Sequence, residues 1–293
     1  MADDRKPGQY ARFFSLGGSC PVPQFPAIPG DAVRPAVCLD GSVVPGGIFG
    51  SVSWLVKDLR TEGLLVHESD ELHMFVGGDP RDQENLNATV DFQIENDHLV
   101  FSETSFVYVP RGCAHNLAAV TDLKRPMLHY VMHVNAAFYR TAPAQAAAPV
   151  GTYAGYRVVK YAPVDGRIPE APPGFLSFLL WIDGNKLPGA PYTESVWFHT
   201  TNDTGPENHT HDDLDEFIAF IGSDPEHPEA LNGDVSFLIG GEQIHTEKSA
   251  IIFVPRGVSH SPLLVHRLEK DILHFSGGNS GSYNKDVNSS FAE

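Results

Sequence analysis

The sequence has few cysteines, few basic side chains and no long apolar run. Its 293 residues include only three cysteines, Cys20, Cys38 and Cys113, and no C-x-x-C pair. This usage fits neither a disulfide framework nor a cysteine-based zinc module, so we expect reduced thiols. The chain has 20 basic and 37 acidic side chains, a formal net charge of -17. Because such a field repels phosphate backbones and anionic bilayers, we expect no nucleic acid and no membrane partner.

Targeting and membrane-spanning segments are also lacking. Apolar runs such as Phe178 to Ile182 are far shorter than the about 20 residues that span a bilayer. The segment from Met1 to Lys6 is polar and lacks the apolar stretch of a secretory signal. Hydrophobic residues make up 42% of the chain, which is enough for a packed core. We therefore predict a folded cytoplasmic protein.

Proline-rich stretches divide the chain. Seven prolines fall within residues 1–50, and a second proline-rich stretch runs from Thr141 to Gly174. Proline and glycine favour extended or turn backbone over helix. We predict an N-terminal arm, a first domain, a linker, a second domain and a tail, over residues 1–49, 50–140, 141–188, 189–276 and 277–293.

The two predicted domains repeat one another at an offset of 145 positions. Asp70-Glu71 matches Asp215-Glu216, and Val109-Pro110-Arg111-Gly112 matches Val254-Pro255-Arg256-Gly257. Short runs rich in β-branched and aromatic residues recur in both halves, bounded by glycine, proline, asparagine and aspartate. They are Val90–Ile94, Ser105–Val109, Val235–Ile239 and Ala250–Val254. Without any long segment of helical spacing, this pattern predicts an all-β protein made of two similar, mostly antiparallel units.

The second unit contains a cluster of metal-ligating residue types. His209-Thr210-His211 is followed by Glu216 and Gly222, and His260 comes 44 positions after Glu216, in Pro255-Arg256-Gly257-Val258-Ser259-His260. Alternating strand side chains point to opposite faces, so His209 and His211 share the inner face of a barrel. A carboxylate and a third imidazole from later strands would complete a site for one ion with open positions.

These two segments resemble the motifs of the cupin superfamily, H-x-H-x(3,4)-E-x(5,6)-G and P-x-G-x-x-H. The resemblance covers both halves and implies a bicupin, two tandem double-stranded β-helix (jelly-roll) barrels. It implies that His209, His211, Glu216 and His260 hold one divalent transition metal per chain. Fe(II) is favoured, followed by Mn(II), Ni(II) or Zn(II).

The motif in the first unit is degenerate. His67, Glu71 and His115 match three of the four ligands, but Leu65 stands in place of the first histidine. A two-histidine, one-carboxylate set can still hold a metal, so these three residues form a possible second site. His73 lies two residues after Glu71 and would replace the missing ligand if it reached the ion. The alternative is a structural barrel whose histidines are only hydrogen-bonded.

Strand alternation also predicts the pocket above the ion. Trp197 and His199 would share one inward face, and Glu216, Ile218 and Phe220 another, which predicts an apolar, aromatic pocket. His274 lies on the last strand of its barrel. We name it with Glu216 as a candidate catalytic residue that would act as general acid or base.

Three functions fit these residues. The first is a dioxygenase that cleaves a C–C bond of a polyhydroxylated aromatic or an enolisable diketone. The second is a metal-dependent C–C hydrolase, lyase or isomerase without a redox step, and the third is a small-ligand-binding or storage cupin without turnover. The apolar pocket and the incomplete first site make oxalate decarboxylation less favoured. The resemblance also implies a homodimer that exchanges N-terminal strands.

Overall fold

The structure is a computed structural model that describes residues 8–18, 28–163, 166 and 171–282. Cys20, the segment from Met1 to Lys6 and most of the predicted tail lie outside these residues. Within the described ranges a single turn of 3-10 helix, Ala11–Phe13, precedes a series of β-strands.

The strands of the first half are β1 (Phe14–Leu16), β2 (Val33–Leu39), β3 (Gly50–Leu55), β4 (Leu59–Arg60), β5 (Leu64–Val66), β6 (Glu71–Gly77), β7 (Asn85–Ile94), β8 (Asp97–Glu103), β9 (Ser105–Val109), β10 (His115–Thr121), β11 (Met127–His133), β12 (Ala142–Ala144) and β13 (Arg157–Val158). The strands of the second half are β14 (Leu176–Ile182), β15 (Thr193–Phe198), β16 (Glu216–Gly222), β17 (Ala230–Ile239), β18 (Glu242–Lys248), β19 (Ala250–Val254), β20 (His260–Leu268) and β21 (Ile272–Gly278). The all-β prediction is therefore confirmed, and the four runs named above lie in β7, β9, β17 and β19.

The strands form two barrels of two sheets each. Barrel 1 consists of the sheets β13-β9-β6-β11-β3-β2 and β12-β5-β10-β7-β8, with β4 also paired to β10. Barrel 2 consists of the sheets β1-β19-β16-β21-β15-β14 and β18-β17-β20. All of these pairings are antiparallel.

Both proline-rich segments contribute strands to the barrels. Strand β2, from the predicted arm, extends the sheet of β3, and Pro35 lies at a register shift, where a missing N–H is tolerated. Strand β14, from the predicted linker, pairs with β15. Strand β1 crosses from the arm to barrel 2, where Phe14 lies opposite Ile252. The predicted homodimer with exchanged arms stays a prediction.

Three apolar clusters account for most of the burial. One fills barrel 1 and includes Phe75 and Phe92, and another fills barrel 2 and includes Phe220 and Phe237. The third lies between the barrels, where the ring centroids of Tyr130 and Phe275 are 4.4 Å apart. Among the described residues no helix has the length and apolar character needed to cross a membrane.

The glycine at the end of the first motif is required by close backbone packing. At Gly222 a Cβ atom would collide with the carbonyl oxygen of Ala230, and at Gly77 it would collide with that of Asn85. The end of β6 therefore packs closely against the start of β7, and the end of β16 packs in the same way against the start of β17.

We expect Gly222→Ala to lower the free energy of unfolding by about 1 to 3 kcal/mol, because backbone must move to admit the methyl group. Urea denaturation followed by tryptophan fluorescence measures this. Gly155→Ala is the matched control, since no atom lies within 4 Å of a Cβ at that position, and it should change stability by less than about 0.5 kcal/mol. Equal effects of the two substitutions would contradict the packing argument.

Candidate metal centres

The two motifs of barrel 2 are joined by backbone hydrogen bonds. His209 and His260 form an isolated antiparallel bridge, with N–H to O distances of 3.0 and 2.9 Å in the two directions. The Gly257 N–H donates to the His211 carbonyl oxygen at 2.7 Å. Glu216 is the first residue of β16, which starts after the loop that carries His211. This scaffold fixes the four side chains relative to one another.

The four predicted ligands of barrel 2 lie together. A donor nitrogen from each of His209, His211 and His260 lies within 4.8 Å of the others. Glu216 Oε2 lies 2.8 Å from His260 Nε2 and 3.6 Å from His211 Nε2. All four residues are buried. Three clustered imidazoles, with a carboxylate beside two of them, are a donor set of the kind that holds a divalent transition ion.

Hydrogen bonds to the backbone orient two of these imidazoles. The Nδ1–H of His209 donates to the Glu207 carbonyl oxygen at 2.7 Å, and the Nδ1–H of His260 donates to that of Val258 at 3.0 Å. In a neutral ring with this tautomer, Nε2 carries the lone pair and acts as the metal donor. The donor set therefore has the chemistry that a bound ion requires.

The carboxylate of barrel 2 is ionised although it is buried. Burial alone would raise the pKa of Glu216, but the imidazoles of His260 and His211 outweigh it and hold that pKa well below its usual range. A buried negative charge needs a nearby cation or protonated partner. An ion between the imidazoles would satisfy this requirement without protonating them.

Barrel 1 contains a second cluster around Glu71. The Oε2 atom of Glu71 lies 2.6 Å from His115 Nε2 and 3.3 Å from the Nε2 atoms of both His67 and His73. The Oε1 atom lies 3.2 Å from His133 Nε2. Burial alone would raise the pKa of Glu71, but the surrounding imidazoles hold it well below its usual range. The same carboxylate outweighs burial at His115 and raises its pKa.

The interior of barrel 1 is filled beside this cluster. His73 Nδ1 lies 3.0 Å from His129 Nε2, and the His129 ring stacks on Phe75 with centroids 4.4 Å apart. Phe92 meets His73 edge-on at 4.6 Å. His73 is therefore held within the aromatic interior as well as beside Glu71.

Barrel 2 instead keeps a cavity of about 130 Å³ beside its centre. His209, Glu216 and His260 lie at its wall. Most of the remaining lining is apolar: Phe175, Leu176, Phe178, Val196, Phe198, Ile218, Phe237 and Leu263. The polar contributors include Glu194, His274 and Ser276, so the cavity combines an apolar body with a few polar groups.

The predicted orientation of β15 was wrong. Val196 and Phe198 line the cavity, while Trp197 belongs to the cluster between the barrels. His199 lies beyond the strand and pairs with Asp271 at 3.3 Å. Both faces of β15 are covered by apolar groups, so hydrophobicity alone did not indicate which face is inside.

The architecture is similar to that of known structures. No protein-family model and no curated protein sequence matches the chain. Among solved structures, a point mutant of Bacillus subtilis oxalate decarboxylase aligns with a TM-score of 0.56 and 10% identity, over 88% of this chain and 78% of that one. The structure of the same decarboxylase at pH 4.6 aligns with a TM-score of 0.54 and 11% identity, over 88% and 77%. The chain has the bicupin fold. At this identity the likeness concerns the fold alone.

Several residues near the two clusters were not identified from the sequence. His133 follows no motif, but it lies on β11 two and four residues after Val131 and His129, and alternation would have placed it on the same face as His129. Glu194 and Phe175 are in the cavity wall through tertiary packing of the predicted linker and of β15. No local pattern marks them.

We expect the double substitution His209→Ala/His260→Ala to lower the metal content of the protein by one ion per chain, because it removes two of the four donors of barrel 2. Elemental analysis of the metal-loaded, desalted protein measures this count. His199→Ala is the control, since that imidazole pairs with Asp271 instead of lying in the cluster. An unchanged count in the double variant would contradict the assignment.

The protein should also lose stability on mild acidification through His274. Burial lowers the pKa of His274 to about 4, below the about 6.5 of an unfolded chain. Between these values the unfolded state binds a proton that the folded state does not, so stability falls as the pH drops from 7 to 5. We expect this loss to be on the order of 1 to 2 kcal/mol smaller in His274→Phe. Urea denaturation at both pH values tests it, and identical pH slopes would contradict it.

Proposed function

We propose that barrel 2 is the active site of a metal-dependent dioxygenase that cleaves a C–C bond of a small enolisable diketone or polyhydroxylated aromatic. The observation that carries the proposal is the apolar cavity directly beside His209, Glu216 and His260. A metal centre without a cavity beside it would have no room for a substrate and would only stabilise the fold. Here the substrate carbon skeleton has a place next to the ligand set.

The size of the cavity supports a short substrate. Its volume of about 130 Å³ is close to the about 150 Å³ of an engineered protein cavity that holds benzene. A single ring or a five- to six-carbon diketone fits this space. A substrate with several fused rings would require the walls to move.

The charge of the wall argues against a small dianion such as oxalate. Among the described residues that line the cavity, two are acidic, Glu194 and Glu216, and none is lysine or arginine. A dianion would have no side-chain cation to offset its charge there. Although the solved structures named above are oxalate decarboxylases, the wall of this cavity favours a neutral or weakly acidic substrate.

The side chains around the cavity have distinct roles in this proposal. The Nδ1–H of His274 donates to the Ala219 carbonyl oxygen at 3.0 Å, so the neutral ring has Nε2 as an acceptor. With its lowered pKa, His274 is unprotonated at neutral pH and would accept the proton of an enol or phenol. Phe198 stacks on this ring with centroids 5.0 Å apart and holds its orientation. An ion held by His209, His211, Glu216 and His260 would supply Lewis acidity and, if it is iron, one-electron chemistry.

Glu194 provides a second polar group in the wall. The Tyr161 hydroxyl donates to Glu194 Oε2 at 2.5 Å, which fixes this carboxylate at the cavity. It would accept a hydrogen bond from a substrate hydroxyl group and favour the enol over the diketone. Together with His274, Glu194 would orient a substrate within a pocket whose lining is mostly apolar.

We expect the iron-loaded protein to consume dioxygen and substrate in equal amounts with 2,4-pentanedione or a catechol. Oxygen-electrode traces and product analysis by mass spectrometry measure this. His274→Gln should lower kcat by about 100-fold or more, because a positioned proton acceptor contributes about that factor. His199→Ala, outside the cavity, should retain full activity.

Two outcomes would replace the dioxygenase proposal. Substrate cleavage under anaerobic conditions would indicate the hydrolase, lyase or isomerase alternative, in which the ion acts only as a Lewis acid. Binding of the substrate without turnover, with every divalent metal tried, would indicate a small-ligand-binding cupin.

A further inference from the structure

Barrel 1 lacks one motif ligand but has an additional imidazole at the same carboxylate. Leu65 lies opposite His115 in barrel 1, as His209 lies opposite His260 in barrel 2. Leu65 therefore occupies the backbone position of a metal ligand and supplies no donor atom.

The additional imidazole is that of His133, at the end of β11. His133 lies opposite Glu71, and the corresponding residue of barrel 2, Gly278, lies opposite Glu216. A Cβ atom at Gly278 would approach Leu214 Cδ1 to 2.5 Å, so a side chain there would have to displace Leu214. In barrel 1 this position holds a histidine whose Nε2 is 3.2 Å from Glu71 Oε1 and whose ring centroid is 4.3 Å from that of His67.

We propose that His67, Glu71, His115 and His133 form a second divalent-metal site, in which His133 replaces the ligand lost at Leu65. The site again has three imidazoles and one carboxylate. The fourth donor lies on β11 instead of at Leu65 on β5. The second site has a different spatial arrangement from that of barrel 2 but the same composition.

The orientation of the imidazoles supports metal binding. The Nδ1–H of His67 donates to the Arg140 carbonyl oxygen at 2.8 Å, and the Nδ1–H of His115 donates to that of Cys113 at 3.0 Å. The second bond repeats the one from His260 to Val258 in barrel 2. Both bonds leave the Nε2 atoms directed at Glu71, the arrangement that second-layer hydrogen bonds give to metal-ligating histidines.

The surroundings of the two remaining histidines distinguish His133 from His73. His73 lies inside the aromatic interior beside His129 and Phe92, and it does not line the cleft described next. His133 and His67 instead line a cleft of about 1040 Å³, together with Arg111 and Arg140. This cleft gives an ion an entry path on the side of His133, which a metal site requires.

The test uses Co(II) as the probe, because its visible absorption reports the coordination sphere. In a His209→Ala/His260→Ala background, which disables barrel 2, we expect one Co(II) per chain by titration and elemental analysis. Adding His133→Phe should weaken this binding at least tenfold, while the ring still packs against Phe49, whose centroid is 5.2 Å away. His73→Phe is the matched control at the same carboxylate, and it should retain the ion and its spectrum.

A rescue variant tests the proposed replacement directly. Leu65→His, added to His133→Phe, returns a donor to the motif position and should restore Co(II) binding with an altered spectrum. In otherwise wild-type protein, His133→Phe should keep the ion of barrel 2, which shows that the chain is folded. The proposal would be overturned if the background variant bound no Co(II). It would also be overturned if His133→Phe left the Co(II) affinity unchanged, or if His73→Phe abolished Co(II) binding while His133→Phe did not.

Discussion

Each barrel is organised around one buried, ionised carboxylate. Glu71 and Glu216 are both buried, and several kcal/mol would be lost if either charge had no partner. The imidazoles and the motif turns are arranged to meet that demand. Gly112 N–H donates to the His67 carbonyl oxygen at 2.9 Å, as Gly257 N–H does to His211, so the turn of the second motif is fastened to the first motif in both barrels. The charge at the centre thus explains why the two motifs lie where they do.

The two barrels have diverged in what surrounds that charge. In barrel 2, Ile218 leaves open space beside the centre, and the His274 ring lies at the cavity wall. At the corresponding positions barrel 1 has His73 and His129, which hydrogen-bond to each other and fill the interior. Barrel 1 opens instead toward the cleft beside His67 and His133. One duplicated framework therefore presents its two centres to different surroundings.

The sequence was informative where function and fold leave a pattern along one strand or between repeats. The motif spacing indicated His209, His211, Glu216 and His260, and the repeat indicated their counterparts in barrel 1. The orientation of Trp197 could not be predicted from the sequence, because β15 is covered on one face by the interior of barrel 2 and on the other by barrel 1. His133 was also missed, since it belongs to neither motif and the corresponding residue of barrel 2 is Gly278. Glu194 and Phe175 come from tertiary packing that no local pattern encodes.

Strand β1 has a consequence for the order in which this protein is built. During synthesis Phe14–Leu16 emerges before either barrel, yet its partner, Ala250–Val254, is among the last strands to be made. The connection spans more than 230 residues in sequence, from Ser15 to Ile251, so it forms only after both barrels have been translated. Until then the outer edge of β19 has free backbone groups that another chain could pair with. Because β19 is made late, β1 pairs with it only near the end of synthesis, and until then the edge of β19 makes the nascent chain prone to association with another chain.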